Sequence, residues 1–312
     1  MKNNKIELRR KRDFGDVINV TFAFVKEHFT HFLSMYILIS LPAALVAVIF
    51  ISIFPASDLF VASNFSKNIG RNIIYILIYA IAGFSLLVFL ISAVYQYMAL
   101  YMKKGTNFSI TDLWKAVLGE FWRISQTYIF FMLGFVLVYA VMAFVVGLMM
   151  SFLGTVGGVL GGIILFLGIL ASIYFFVPLS YIFVVRSFEP EKTFMEAIKR
   201  ANYLVKDNWW ACFGLSFVMA IIQYIMVMVL KIPFAIFGMA DVAQVNFSGV
   251  FSIALIVETV TNMITAFLPT LATIFQYFAL VEMKDATGLT EKVEKFGTVA
   301  NSDENEDEKE DY

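Results

Sequence analysis

The sequence predicts an all-α integral membrane protein with six transmembrane helices, arranged as three repeated helical hairpins. Composition is the first reason: 60% of the 312 residues are hydrophobic and 15% are charged, whereas soluble domains are about 45–50% apolar. The second is the presence of six apolar runs, each able to cross ~30 Å of hydrocarbon, which takes about 20 helical residues. Because the runs are continuous rather than alternating, they indicate helices.

Orientation follows from the basic residues between these runs. The runs lie at residues 32–54, 73–101, 127–153, 159–185, 209–235 and 249–281. Of the 23 Lys and Arg residues, 20 lie before residue 27, in the connections 102–126 and 186–208, or after residue 282. Cytoplasmic loops carry an excess of Lys and Arg. We therefore expect both termini in the cytoplasm, with the first run acting as an uncleaved anchor.

A repeated string predicts the hairpin organisation. Gln96-Tyr97-x-Ala-Leu recurs 180 residues later as Gln276-Tyr277-x-Ala-Leu, at the end of the second span of a hairpin in both cases. Each copy contains two spans, so the copies share one topology and form a parallel repeat. The tyrosines suit the membrane interface, and the glutamines can hydrogen-bond neighbouring helices. The predicted copies span about residues 13–104, 110–186 and 192–284.

Each copy is predicted to begin with a cytoplasmic amphipathic helix. In 193–206 the apolar positions recur at helical spacing, and residues 13–25 repeat the pattern. Thr193 followed by Glu196 is typical of a capping box. The fainter middle copy places Leu113 opposite Phe194. We expect these interfacial helices to lie in the inner headgroup plane, either as a structural collar or as a docking surface for a protein partner.

A polar stripe on the sixth span is the candidate functional site. Its five members are Glu258, Thr261, Asn262, Thr265 and Gln276. A carboxylate inside a span costs ~2–3 kcal/mol on insertion scales and normally faces protein or water. One interpretation is a proton- or cation-responsive site or polar ligand pocket, with a kink at Pro269. The other is a paired Glu258 that ties this helix to the fifth span through Gln223 or Lys231.

Other chemistry is not indicated. The single cysteine, Cys212, permits neither an internal disulfide nor a thiolate cluster. Glu27-His28-x-x-His31 contains both histidines of the chain and lacks the further ligands of a closed metal site. No cofactor motif or catalytic triad can be assembled, so we predict no enzyme activity. The net charge of −1 argues against a nucleic-acid partner. The glycine run 154–162 predicts a tight outer turn between spans three and four.

Three regions are therefore expected. Residues 1–12 form a basic segment, residues 13–285 the membrane domain, and residues 286–312 an acidic tail. The last twelve residues hold seven acids, and such a run remains a disordered, solvated arm. Membrane lipids are the expected partners, and the amphipathic helices or the tail could bind a protein.

One string resembles a known class of membrane protein. FxxAIxxxxxLVKDNWW at residues 194–210, followed by a span, is similar to bacterial six-helix proteins related to the membrane domain of glycerophosphoryl diester phosphodiesterases. The resemblance implies an inner-membrane protein without the catalytic part of those fusions. Two hypotheses follow: a non-enzymatic protein that binds lipid or serves as an accessory or scaffold subunit, and a transporter or export permease that uses the stripe around Glu258.

Overall fold

The chain is helical throughout the residues that the computed structural model describes, 7–54, 69–241 and 247–286, which contain no strand. Seven α-helices and one 3₁₀ turn occur in these ranges. They are α1 (Phe14–Ile53), α2 (Ile69–Lys104), α3 (Ile110–Phe188), α4 (Phe194–Val205), the 3₁₀ turn Lys206–Asn208, α5 (Trp209–Asp241), α6 (Phe247–Thr265) and α7 (Phe267–Asp285). Five helical stretches are long and apolar enough to cross a membrane. The predicted all-α class is confirmed, and these stretches are compatible with a membrane protein.

Several sequence predictions fall outside the described residues. The first six residues of the basic segment, the connection 55–68 and the acidic tail from 287 are in this group. The disordered tail therefore stays a prediction.

Helix α3 is an antiparallel hairpin rather than one straight rod. Gly154 has φ 56° and ψ −130°, a backbone conformation that side chains rarely adopt. Beyond it the chain runs back along itself, so that the Tyr139 hydroxyl donates to Ser172 Oγ at 2.9 Å. Gly157 passes so close to Met149 that an added Cβ would lie 2.0 Å from the Met149 carbonyl oxygen. The chain reverses at the first residue of the predicted glycine run. We call residues 110–153 the first arm and residues 155–188 the second arm.

The apolar run 249–281 is not one helix, as the sequence predicted, but two. Helix α6 ends at Thr265 and α7 begins at Phe267, with Ala266 between them. Pro269 lacks the N–H that would bond to the Thr265 carbonyl, and it is tolerated because it lies in the first turn of α7. The break therefore comes one turn before the proline.

Breaks also separate amphipathic from apolar segments at equivalent places. In α1, His28 departs from helical geometry with φ −110° and ψ 16°. At an offset of 180 residues, the 3₁₀ turn Lys206–Asn208 separates α4 from α5. Each break lets an amphipathic segment leave the direction of the span that follows it.

The three amphipathic segments begin at Asp13, Ser109 and Thr193. The Ser109 and Thr193 side chains accept bonds from the third residue of their helices, in complete capping boxes. The predicted box at Thr193 is confirmed, and the box at Ser109 was not recognised in the sequence.

Burial sets the register between these segments. The residues four and eight places after each cap are buried: Val17 and Thr21, Leu113 and Val117, Ala197 and Ala201. With the caps aligned in this way, Leu113 lies opposite Ala197, three residues from the predicted alignment with Phe194. The reason is that composition alone cannot distinguish one turn of an apolar helix face from the next.

The amphipathic segments bury part of their apolar faces against the protein itself. Phe24 is fully buried, with its ring 5.2 Å from that of Tyr101 and 5.8 Å from that of Phe275. Leu204 and Val205 are buried in the same way. This packing fits the structural collar, and other apolar side chains of these segments, such as Phe22 and Trp122, are exposed.

Helix α7 occupies the centre of the molecule. Phe275 and most of its neighbours along the helix are buried, and Phe267 packs edge-on against Phe32 of α1 at 5.3 Å. By contrast, the α3 hairpin exposes large apolar side chains around its circumference, including Phe144 and Phe152. Exposed apolar surface of this extent is suited to lipid rather than water.

Candidate functional site

Glu258 is paired with a lysine of the neighbouring helix. Its Oε2 receives a hydrogen bond from Lys231 Nζ of α5, and its Oε1 accepts from Asn262 Nδ2 at 2.5 Å. The two charged side chains are 47% and 37% exposed, so the pair lies at the surface of the bundle. Of the two sequence interpretations, this geometry matches the carboxylate that ties the sixth span to the fifth through Lys231.

The threonines of the stripe are satisfied within their own helix. Thr261 donates to the Val257 carbonyl at 2.8 Å, and Thr265 donates to the Thr261 carbonyl at 2.9 Å. Both side chains are buried. Because their hydroxyls are bonded to carbonyls one turn earlier in α6, they offer no continuous polar track to a passing ion.

Gln276 does not belong to the group around Glu258. It is buried in α7 with its Nε2 atom 3.9 Å from Cys212 Sγ, and Tyr181 is hydrogen-bonded to the same thiol. Its Oε1 atom has no hydrogen-bond partner. The stripe predicted from the sequence is therefore divided into two places, because the break before α7 changes the helical phase of everything that follows.

The signature tyrosines bond to polar residues that flank the amphipathic segments. Tyr97 Oη lies 2.8 Å from His31 Nδ1, and Tyr277 donates to Glu189 Oε1 at 2.6 Å. Gln96 is buried, like its counterpart in α7, and its Nε2 atom has no partner. Tyr97 therefore ties α2 to the part of α1 just after its break, and Tyr277 ties α7 to the end of α3.

The histidines contact tyrosines, which the sequence did not reveal. His28 Nε2 lies 3.0 Å from Tyr101 Oη, beside the bond between His31 and Tyr97. Among the residues that the structure describes, no three His, Cys, Asp or Glu side chains form a group that could hold a metal ion.

An ionic network closes the end of the bundle where α7 finishes. Arg200 Nε donates to Glu189 Oε1 at 3.1 Å, and the same guanidinium pairs with Asp285. Lys284 hydrogen-bonds Asp207, and this bond holds the pKa of Asp207 below its usual value. The network fastens α4 and its 3₁₀ turn to the last turn of α7.

Part of the basic N-terminal segment packs under the same end. Arg12 is buried, donates to the Leu8 carbonyl at 2.8 Å and lies over the Phe275 ring at 5.7 Å. Burial lowers its pKa, yet an arginine stays charged at neutral pH. The described part of this segment is thus attached to the protein.

A cavity of about 320 Å³ lies between α2, both arms of α3, α5 and α7. Its walls are apolar apart from six hydroxyl-bearing side chains, namely Tyr95, Tyr128, Ser180, Ser216, Thr270 and Thr273. Four of these hydroxyls donate to carbonyls of their own helices. No charged side chain lines the cavity, so it suits an apolar group. Sequence reasoning missed it because its walls come from all three predicted repeats.

Fold and site together define a helical protein with several long apolar helices, a carboxylate on one of them that is paired with a lysine of its neighbour, and an apolar cavity between four helices. Comparisons of the chain with known protein families, with curated proteins and with solved structures found no match. The resemblance to the membrane domain of glycerophosphoryl diester phosphodiesterases therefore stays a prediction.

Proposed function

We propose that the chain is a non-enzymatic multi-pass protein of the bacterial cytoplasmic membrane that binds lipid or serves as an accessory or scaffold subunit of a membrane enzyme or transporter. Six spans are proposed, with both termini in the cytoplasm. The reversal at Gly154 supports this number, because it divides the long helix α3 into two arms of spanning length. The positive-inside distribution of Lys and Arg supports the orientation.

The three-copy organisation is part of the same proposal. Caps at Asp13, Ser109 and Thr193 precede segments with the same buried positions. The breaks at His28 and Asn208 are also equivalent at an offset of 180 residues. These agreements concern backbone geometry and burial rather than letter matches in the sequence.

The observation that carries the functional proposal is the chemistry of the central cavity. It lies where the three hairpins meet, and its lining includes no charged side chain. An ion that passed through the cavity would lose its hydrating water and would meet no charged side chain in exchange, whereas an acyl chain or an apolar partner segment would fit. Glu258 is not among the cavity-lining residues and is neutralised by Lys231.

Transport through helix α6 is the second candidate. The partial exposure of Glu258 and Lys231 favours it, because a substrate or ion that reached the bundle surface could contact either charge. The geometry supports it less well, because the neighbouring threonine hydroxyls are bonded within α6.

Native mass spectrometry of the gently extracted full-length protein tests these alternatives. Wild type is compared with Glu258→Gln, and Glu191→Gln serves as the control because Glu191 is an exposed acid in the connection before α4. Lipid or a second protein retained equally by all three supports the proposal. A small molecule held by wild type and the control but lost from Glu258→Gln favours transport. Bare protein in every case would argue against lipid and accessory functions alike.

A further inference from the structure

A second cavity, of about 460 Å³, forms a groove between the two arms of α3. It extends from Met142 and Gly168 to Phe130, where Phe194 and Ile198 of α4 close it. From residue 130 to residue 142 the helix rises about 18 Å. One leaflet of the hydrocarbon core is about 15 Å thick. The groove therefore has the length and the apolar walls that one acyl chain requires.

Two glycines leave room in this groove. At Gly134 a Cβ would meet nothing within 4 Å, so the position leaves free space beside the opposite arm. At Gly168 a Cβ would lie 2.0 Å from Met142 Cε, so this glycine makes room for the methionine. The one polar side chain of the lining, Ser172, is satisfied by the Gly168 carbonyl.

Two arginines lie just beyond the α4 end of the groove. Arg186 follows the lining residue Ile182 by four positions, and Arg123 precedes the lining residue Phe130 by seven. Residues at these spacings lie on the same face of a helix. The acceptor of the Arg123 guanidinium agrees with this location. Arg123 donates to the Pro190 carbonyl at 3.5 Å, and Pro190 lies in the connection that leads to Phe194 at the groove end.

The arginine pair is short of negative partners. Arg186 is only 8% exposed and donates to the Lys192 carbonyl at 3.3 Å, and Arg123 is paired with Glu120. Both guanidinium Nε atoms are buried and have no hydrogen-bond partner among the described residues. Two guanidinium groups thus face one carboxylate, that of Glu120, and the cluster keeps one positive charge. A phosphate group supplies what is missing, since guanidinium donors match its oxygens in charge and geometry.

We propose that this groove and the arginine pair hold one anionic phospholipid, with an acyl chain between the arms of α3 and the phosphate at Arg123 and Arg186. The inference rests on the proposed function, because the arginines must lie at the cytoplasmic headgroup level. It names the lipid class and the place of binding. The lipid would also fill the gap between arms that otherwise contact each other only in part.

The test uses full-length protein in detergent with either phosphatidylglycerol or phosphatidylcholine added, and native mass spectrometry counts retained lipids. Arg123→Gln removes charge from the cluster, with the exposed Lys115→Gln on the same arm as its control. Gly134→Leu fills the groove without meeting protein atoms at its Cβ, and Gly147→Leu is the matched control, since a Cβ there also meets nothing within 4 Å. Gly147 is not among the groove-lining residues.

We expect wild type and both controls to retain one phosphatidylglycerol in preference to phosphatidylcholine. Arg123→Gln and Gly134→Leu should each weaken retention about tenfold or more. Equal retention of the two lipids, or full retention by Gly134→Leu, would overturn the inference. Displacement of the lipid by inorganic phosphate from wild type and Gly134→Leu alike would show that the arginines bind phosphate alone. If the wild type retains lipids and the substitutions at Arg123 and Gly134 do not change their retention, only the proposed site is refuted. If the wild type retains no lipid, the proposed lipid-binding function is refuted as well.

Discussion

The close approach of the two arms of α3 permits a graded test of the fold. A Cβ added at Gly157 would lie 2.0 Å from the carbonyl oxygen and 2.5 Å from the carbonyl carbon of Met149. Backbone atoms cannot rotate away, so Gly157→Ala must separate the arms. The adjacent Gly158 meets nothing within 4 Å and provides the matched control.

The expected magnitude follows from two opposed effects. Overpacking costs about 1–3 kcal/mol, and the upper end applies at Gly157 because the obstructing atoms are backbone. Replacing a helical glycine by alanine otherwise stabilises by about 0.5–1 kcal/mol. Gly158→Ala should therefore be neutral or stabilising. Because the helix gain applies to both variants, they should differ by the overpacking cost alone, about 2–3 kcal/mol.

Two further glycines give intermediate values. An added Cβ at Gly161 would lie 2.6 Å from Val146 Cγ1, and one at Gly168 would lie 2.0 Å from Met142 Cε. Valine is stiff about its first torsion, whereas methionine has three torsions with which to move aside. The loss of stability on substitution by alanine should thus be largest at Gly157, smaller at Gly161 and smallest at Gly168.

Thermal unfolding of the full-length protein in one detergent measures this series. With about 2–4 °C per kcal/mol, Gly157→Ala should unfold about 5–10 °C below Gly158→Ala. Hydrogen exchange should show faster exchange near residues 145–165 in the Gly157 variant. Identical midpoints and exchange for Gly157→Ala and Gly158→Ala would show that the arms do not meet as described.

Three other outcomes are expected. Glu258→Gln should lower the free energy of unfolding by about 1–2 kcal/mol, less than the ~3–5 kcal/mol of a fully buried pair, because both side chains are partly exposed. Adding Lys231→Met should restore most of this loss, and a double variant whose thermal midpoint does not recover would exclude the pairing. Asp207 has a lowered pKa through Lys284, so its contribution is complete above the ordinary aspartate pKa of 3.8 and is lost as pH falls through the lower native value. In Asp207→Asn, the free energy of unfolding should therefore fall less steeply than in wild type as the pH is lowered below the ordinary aspartate pKa. An equal fall in both proteins would contradict the interaction. Tyr97→Phe should cost about 1 kcal/mol in chemical denaturation by removing the hydrogen bond to its histidine partner, and an unchanged midpoint would mean that the bond contributes nothing.

Much of the local structure was predictable from the sequence. The helical class follows from long apolar runs, and the capping box at Thr193 follows from two side chains one turn apart. Pairing of Glu258 with Lys231 was one of two open interpretations, because both residues interrupt apolar runs of neighbouring spans. These features depend on residues that are close in the chain or that belong to successive elements.

The candidate site was predicted less completely. The stripe ending in Gln276 assumed one span with a kink at Pro269 that kept its polar face, and the break at Ala266 places that residue beside Cys212 instead. The predicted register of the middle copy differs by three residues from the register of the helix caps for a related reason, since apolar positions along a helix are chemically alike. Packing, rather than composition, chooses among them.

By itself, the sequence determined that this protein is helical and apolar, and where basic residues separate its apolar runs, because hydropathy and helix signals act within a few turns of chain. Only the tertiary structure decided which polar groups meet. It brought His31 to Tyr97 and Arg186 to the Lys192 carbonyl. It also placed helices α2, α3, α5 and α7 around a cavity that no charged side chain of the described residues lines. Such contacts depend on the angles and spacings at which helices pack, and these are set by side-chain volumes summed over the whole bundle.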